Sequence, residues 1–349
     1  MQKPSSKPAR RWCAYCKRRG HSLYHNEGGY VVIVCAKSRL EGRCFKDHAF
    51  LIDLFKSREL LPRCNGTFIL LCRNLWELDE RLEPNRHYEI CPRLADTAHD
   101  DDSVGSPVAE ATPRTKQADS RLFRHVDDAV LETSSFKYFL KLLEIFGTDD
   151  AEKIKAAGEE TDEFLTAVLK SSVTKRLQTY LVEKQIIGPN QTQLKEKLRN
   201  IWFDMEEHES HLSCAFERVF IGNLKMRANG DKIKPEGLVS GLHNWVRLYL
   251  LEKNGSIQYR GVHGRQVPSE DHPIMNIEFS WHDVIKPVGS TFISTTPAFE
   301  ICLYTAAFLC GCEAGHTYIR LGSHNVDLYC PSNIPNGDSK LTICYPVWD

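Results

Sequence analysis

A stretch with almost no large apolar side chains, residues 94–120, divides the chain and limits what it can fold into. It carries an acidic run at residues 100–102 together with glycine and prolines. Such a segment cannot bury enough apolar surface to offset the entropy lost on folding, so we expect an acidic flexible linker. The 349-residue chain is therefore predicted to contain two domains, at residues 1–93 and 121–349.

Cysteines are unevenly placed on either side of that stretch. Of 13 in the chain, seven fall in the first hundred residues, and none occurs between Cys91 and Cys214. Residues 1–12 are basic and lack the apolar core of a secretory signal, and apolar runs such as residues 67–72 are too short to span a membrane. We therefore expect an intracellular, cytoplasmic protein with no membrane partner. In that setting a cysteine cluster favours metal binding over disulfides.

The first two cysteines form a Cys-x2-Cys pair, Cys13 and Cys16, which suits a tetrahedral Zn²⁺ site. With His21 the pair resembles the start of a knuckle-type zinc finger. With His25 and Cys35 it resembles, loosely, the first half of a Nanos-type RNA-binding zinc finger. Both ligand sets stay open, with His21 as the alternative to His25. A small domain whose thiols bind no metal is a further alternative.

The first twenty residues also contain basic side chains interleaved with Trp12 and Tyr15. Basic groups neutralise phosphates and exposed aromatic rings stack on unpaired bases, which favours single-stranded RNA or DNA. The whole chain has 45 basic and 46 acidic residues, so any nucleic-acid contact must be local. A solvated basic tail is the simpler alternative.

The second part begins with helical patterns and ends with strand patterns. Apolar residues recur at three- and four-residue spacing in residues 136–146, 164–177 and 194–205. After residue 254 the apolar segments are short and rich in β-branched and aromatic residues, apart from a capped helix predicted from Thr296 onward. Helices first and strands later predict an α+β domain with antiparallel sheets, preceded by the small zinc-binding domain.

Several short motifs then occur in a fixed order. They are Phe-Glu-Arg-Val-Phe at 216–220, Ser-Gly-Leu-His-Asn-Trp at 240–245, Lys-Pro-Val-Gly-Ser at 286–290, Pro-Ala-Phe-Glu at 297–300 and Tyr-Pro-Val at 345–347. In combination they resemble the EndoU family, the uridylate-preferring endoribonucleases, over residues 121–349. The resemblance implies cleavage of single-stranded uridine-containing RNA, stimulated by Mn²⁺, with no DNA substrate expected.

The resemblance also implies roles for particular residues. The ribose 2′-OH attacks its own phosphate, leaving a 2′,3′-cyclic phosphate and a 5′-OH; His243 and Lys286 match catalytic positions of the family. Ser290 matches the position that contacts uracil, and Tyr345 the tyrosine beneath base and ribose. The neighbouring motif residues Glu217, Asn244 and Thr342 are further candidates for substrate binding.

One catalytic position differs from the family pattern. The first histidine of the family is Arg218 here, and an arginine stays protonated at any working pH. We expect Arg218 to lie near the phosphate as a fixed cation, with His208 or His211 as possible substitutes for the missing imidazole. Three functions stay open. The first is an RNA-binding endoribonuclease with altered activity, and the second is an EndoU-fold RNA-binding protein that is weak or inactive as an enzyme. The third is a protein-interaction scaffold.

Overall fold

The structure is a computed structural model. It describes residues 21–25 and 31–35 and, beyond them, residues 66–95, 121–148, 150–208, 211–229, 232–264, 268–269, 272–311, 315–331 and 340–347. Contacts divide the chain into a unit of residues 1–62 and a larger unit of residues 63–348.

In the first unit, strands β1 (His21–His25) and β2 (Val31–Cys35) pair in antiparallel register. The register places His21 opposite Cys35 and His25 opposite Val31. His25 is therefore four residues, or about 13 Å, along the strand from that first pair. Of the two candidate histidines, His21 is the one adjacent to Cys35. Cys13 and Cys16 lie outside the described residues, so the zinc site stays a prediction.

The second unit contains nine α-helices among its described residues. They are α1 (Gly66–Leu78), α2 (Asp128–Leu131), α3 (Ser134–Phe146), α4 (Ala151–Ala156), α5 (Gly158–Leu169), α6 (Ser172–Glu183), α7 (Gln191–Trp202), α8 (Trp245–Lys253) and α9 (Pro297–Cys310). A short π-helix (Glu217–Ile221) precedes the candidate site. Phe136, Phe139, Leu143 and Phe146 of the predicted α3 stripe are buried, as are Leu194, Leu198 and Trp202 of α7, whereas Met205 of the predicted stripe lies beyond α7 and is exposed. The stripe at 164–177 is interrupted, because the Ser171 side chain accepts a hydrogen bond from Thr174 N and begins a new helix.

The strands of this unit form small sheets. They are β3 (Tyr88–Ile90), β4 (Phe123–Val126), β5 (Glu206–His208), β6 (His211–Ser213), β7 (Asn223–Asn229), β8 (Lys232–Ser240), β9 (Ile257–Val262), β10 (Ile274–Trp281), β11 (Val284–Phe292), β12 (His316–Leu321), β13 (His324–Tyr329) and β14 (Tyr345–Val347). Two sheets have three strands, in the orders β11-β10-β9 and β12-β13-β14. Every ladder in the described part of the chain is antiparallel, which confirms the predicted α+β class.

One apolar core joins these elements, and it includes residues that precede the predicted linker. Phe68, Leu71 and Leu75 of α1 are fully buried against α6, α9 and β12. Ala95 N donates to the Val262 carbonyl at 3.0 Å. Residues 66–95 therefore fold with the second unit, because the apolar face of α1 has its partners there. The larger unit therefore begins at residue 63, whereas composition placed the boundary at residue 93. Residues 96–120 lie outside the described part.

No helix in the described residues is both long and apolar enough to cross a membrane.

Candidate active site

The loop between β8 and α8 brings His243 against strands β11 and β14. Gly241 has φ +65°, and a Cβ there would lie 2.1 Å from the Arg218 carbonyl oxygen, so this position requires glycine. Leu242 follows at φ +62°, and His243 N donates to the Val219 carbonyl at 3.1 Å. A tight, left-handed turn thus holds the histidine backbone on the π-helix.

The hydrogen bond of the imidazole fixes its tautomer. His243 Nδ1 lies 2.7 Å from the Ser290 carbonyl oxygen, which can only accept, so Nδ1 carries the proton. Nε2 is then the basic nitrogen. The side chain is only 5% exposed, and burial, with the nearby Lys286 charge, lowers the pKa of His243 well below its usual range. A neutral imidazole with an available Nε2 lone pair suits a general base.

Lys286 of β11 contacts the same loop. Its Nζ donates to the Gly241 carbonyl and lies 3.5 Å from the Val239 carbonyl. Burial lowers the pKa of Lys286 to about 7. Near neutral pH this amine is close to its titration point, and an adjacent phosphate would favour the charged form.

Ser290 has two functions in this arrangement. Its carbonyl positions His243, and its Oγ donates to Asn276 Oδ1 at 2.7 Å. Asn276 is directly opposite Ser290 in the β10–β11 register. Sequence reasoning missed Asn276, because only the register of the two strands reveals it.

Tyr345 of β14 stacks on the imidazole. The ring centroids of His243 and Tyr345 are 4.0 Å apart and the planes differ by 7°. Burial raises the pKa of the Tyr345 hydroxyl, which stays protonated. One face of the tyrosine is thus covered by His243 itself, so a base contacting Tyr345 would meet its edge or its other face.

Arg218 is not oriented as the sequence suggested. Its Nε donates to the Thr342 carbonyl at 3.0 Å, Nη1 to both oxygens of Ser213 at 3.1 Å, and Nη2 to the Leu341 carbonyl at 2.7 Å and to the Glu206 carboxylate. These bonds use all five N–H donors of a guanidinium. The expectation of a phosphate-binding cation is therefore corrected: Arg218 joins β5 and β6 to the segment that leads into β14.

The other motif candidates also make contacts within the protein. Glu217 Oε2 accepts from Cys214 N at 2.9 Å, and Thr342 presents its carbonyl to Arg218. Asn244 is 1% exposed; it caps α8 through Arg247 N. The Glu217 and Asn244 side chains thus each accept from a backbone N–H near the ends of the π-helix and α8.

Glu300 of α9 accepts a hydrogen bond from the loop that carries His243. Asn244 Nδ2 donates to Glu300 Oε1 at 3.0 Å and Thr295 Oγ1 donates to the same oxygen at 2.9 Å. Burial raises the pKa of Glu300 to about 8. The only sequence signal for this role is an acidic residue inside an otherwise apolar helix.

Two further predictions concern groups outside this centre. His208 and His211 are paired across the β5–β6 hairpin, and only their backbone is described. Among the described residues, no group of three or more His, Cys, Asp or Glu side chains could hold a metal ion.

Comparison with known proteins gives one consistent result. A family model described as Endoribonuclease XendoU matches residues 68–346. Poly(U)-specific endoribonuclease-B of Xenopus laevis is 33% identical over 74% of this chain and 87% of its own length. Uridylate-specific endoribonuclease C of Danio rerio is 33% identical over 70% of this chain and 77% of its own.

A solved structure is also similar. It is described as XendoU, a splicing-independent snoRNA-processing endoribonuclease, and superposes with a TM-score of 0.64 at 29% identity. The similarity covers 82% of this chain and 98% of that one. The motif order, the mixed fold and the match across residues 68–346 together show that this chain belongs to the XendoU, or EndoU, family of endoribonucleases.

Proposed function

We propose that this chain binds single-stranded, uridine-containing RNA and cleaves it after uridylate, in the manner named for its relatives. The observation that carries the proposal is the orientation of His243. Its Nδ1 proton is donated to the Ser290 carbonyl, which leaves Nε2 as a base beside the buried Lys286 amine. This pairing of base and cation suits phosphodiester cleavage.

In the proposed reaction, His243 Nε2 takes the proton of the ribose 2′-OH. The freed oxygen bonds to the adjacent phosphorus, and the bond from phosphorus to the 5′-oxygen of the next nucleotide breaks. The products are a 2′,3′-cyclic phosphate and a 5′-OH, whose proton comes from solvent. The Lys286 ammonium stabilises the added charge on the phosphorane.

We expect this cleavage to be slower than that of a relative with two histidines. Arg218 cannot donate a proton to the leaving oxygen, both because a guanidinium stays protonated and because its donors are occupied. One missing acid catalyst costs roughly 10²–10⁴-fold in rate.

The occupied Arg218 also favours a second candidate function. If solvent cannot replace the missing acid, the chain is an EndoU-fold RNA-binding protein with little or no cleavage. The two candidates share an RNA site and differ only in chemistry.

Metal requirements are a separate part of the proposal. Mn²⁺ stimulation is proposed from the family resemblance alone, and no step above is assigned to it. A structural zinc in the first unit would use Cys13, Cys16 and Cys35 with His21 or His25. Elemental analysis of the full-length protein tests the zinc, and assays with and without Mn²⁺ test the stimulation.

The function is tested with a short RNA that contains a single uridine. We expect the full-length protein to cut after that uridine and to leave a cyclic phosphate on the 5′ fragment. The matched control carries 2′-deoxyuridine at the same position and should stay intact, since it lacks the nucleophile. Binding of both RNAs without cleavage of either would support the second function, and absence of binding would contradict both.

A further inference from the structure

Two cysteines lie opposite each other where β13 ends and β14 begins. Tyr329 is opposite Tyr345 in the antiparallel β13–β14 register. In an antiparallel pair, the residue that follows on one strand is opposite the residue that precedes on the other. Cys330 therefore lies opposite Cys344, and Cys344 is bonded directly to the tyrosine that stacks on His243.

The hydrogen bonding of Cys330 shows which type of cross-strand pair this is. Cys330 N donates to the Gly315 carbonyl at 2.7 Å, on the β12 side of its strand. The backbone N–H and C=O of a strand residue point to the same side, so those of Cys330 point away from Cys344. Pairs of this type have Cα atoms about 4.5 Å apart, which lies within the range of about 4.4–6.8 Å found in disulfides.

The two sulfur atoms are on the core side of the sheet. Cys330 is 4% exposed and Cys344 is fully buried. Burial, together with a hydrogen bond between the two side chains, raises the pKa of Cys344 well above its usual range. The thiols are thus in contact in the reduced protein, and Cys330 is the one that a small oxidant reaches first.

From this pairing we propose that Cys330 and Cys344 are a modification site, at which a peroxide forms a cross-strand disulfide that ties β14 to β13 beside Tyr345. Hydrogen peroxide first converts the Cys330 thiol to a sulfenic acid and releases one water. The Cys344 sulfur then bonds to the Cys330 sulfur, while its proton and the sulfenic hydroxyl leave as a second water. The two thiols together lose two electrons to one peroxide.

The disulfide alters the candidate site because of where it forms. Cβ atoms of directly opposite strand residues are about 4.5–5.5 Å apart, whereas those of a disulfide are about 3.8 Å apart. Oxidation therefore draws Cys344 toward β13. The backbone that leads into Tyr345 moves with it, and the contact of the Tyr345 ring with His243, at 4.0 Å between centroids, changes.

The test treats the reduced full-length protein with hydrogen peroxide and maps its peptides by mass spectrometry without reduction. We expect a pair of peptides joined through Cys330 and Cys344. We also expect the midpoint of thermal unfolding to rise by roughly 5 °C, because the bond closes a loop of about 15 residues in the unfolded chain. The NMR signal of the His243 imidazole should shift on oxidation, and dithiothreitol should reverse all three changes.

Two variants make this result specific. Cys330→Ala should lose the joined peptides, the rise in midpoint and the shift of the His243 signal. Cys91→Ala removes a partly exposed cysteine that contacts Arg124, and it should keep all three.

Two results would overturn the inference. Peroxide-treated wild type without the joined peptides, or with Cys330 as a sulfinic acid, would show that no disulfide forms, whether or not Cys330→Ala folds. Joined peptides with an unchanged His243 signal would show that the bond does not reach the candidate site.

Discussion

Two basic side chains at the candidate centre are buried side by side, although burial disfavours their charged forms. His243 and Lys286 are 5% and 6% exposed, and the pKa of each is lowered. The sequence motifs predicted both as catalytic candidates, but not their burial, which depends on β11 and β14 closing over the loop. A bound phosphate would replace part of the lost hydration of Lys286 and favour its charged form. The proposed reaction needs that charged form to stabilise the phosphorane.

The first prediction concerns the stability cost of Lys286. Its pKa is about 7 in the folded protein and about 10.4 in an unfolded chain. Between these values the unfolded chain binds a proton that the folded chain does not, so stability rises with pH. Lys286→Met removes this dependence. We expect the stability of the variant relative to wild type to fall from pH 7 to pH 10, by up to about 4 kcal/mol.

Urea unfolding at the two pH values measures this difference. Lys175→Met, at an exposed position on α6, is the control and should show no such trend. A constant gap between Lys286→Met and wild type would show that the amine is not desolvated as described.

The second prediction concerns Arg218→His. A histidine cannot replace five N–H donors, and it leaves the partly buried Glu206 carboxylate without its closest partner. We expect the free energy of unfolding to fall by about 3 kcal/mol, as for other broken buried ion pairs. We also expect no gain in cleavage rate, because the protein groups that accept hydrogen bonds from Arg218 surround this position and would also engage an imidazole. A variant as stable as wild type and about 100-fold faster would instead show that the residue belongs to the centre.

At the scale of elements, short sequence patterns predicted the helix cap and the strands whose formation depends on neighbouring residues in the chain. The Thr296 cap and its following proline begin α9 as expected, and β10 and β12 lie in the part after residue 254 where short strands are predicted. The sequence did not predict β13 or the β7–β8 hairpin, because β7 has no β-branched or aromatic residue, β8 contains Pro235 and Gly237, and β13 has polar residues at most of its positions. Nor could it predict the partners of Arg218, which include a carbonyl 124 residues later.

The third prediction concerns the Thr296 cap. Thr296 Oγ1 accepts from Phe299 N at 3.2 Å and donates to the buried Asp79 at 2.5 Å. We expect Thr296→Ala to destabilise the protein by about 2 kcal/mol, because it removes a cap and leaves a buried carboxyl less satisfied. Thr133→Ala is a matched control, since Thr133 is the N-cap of α3 and makes no capping bond. Equal effects of the two changes in thermal unfolding would contradict the account.

At the scale of the whole molecule, the sequence placed one boundary differently from the structure. Composition identified residues 94–120 as a division, but α1 on its far side packs into the second unit. An apolar helix face shows that a helix needs a partner, and does not show which part of the chain supplies it.

The fourth prediction follows from this packing. A fragment that begins at residue 63 should fold, whereas one that begins at residue 121 should not, because it lacks Phe68, Leu71 and Leu75 of the core. Circular dichroism during thermal unfolding distinguishes them. A cooperative transition for the shorter fragment, at the temperature of the longer one, would restore the boundary at residue 93.

The role of His243 as the base is tested by the effect of His243→Ala on cleavage of the single-uridine RNA by the full-length protein. If His243 is the base, the rate should fall by roughly 10²–10⁴-fold, while binding of the 2′-deoxyuridine RNA changes little. His263→Ala is the control. His263 Nε2 lies 2.9 Å from Glu278 Oε2 of β10, and this histidine has no part in the proposed reaction. Cleavage by His243→Ala at the wild-type rate would contradict the account.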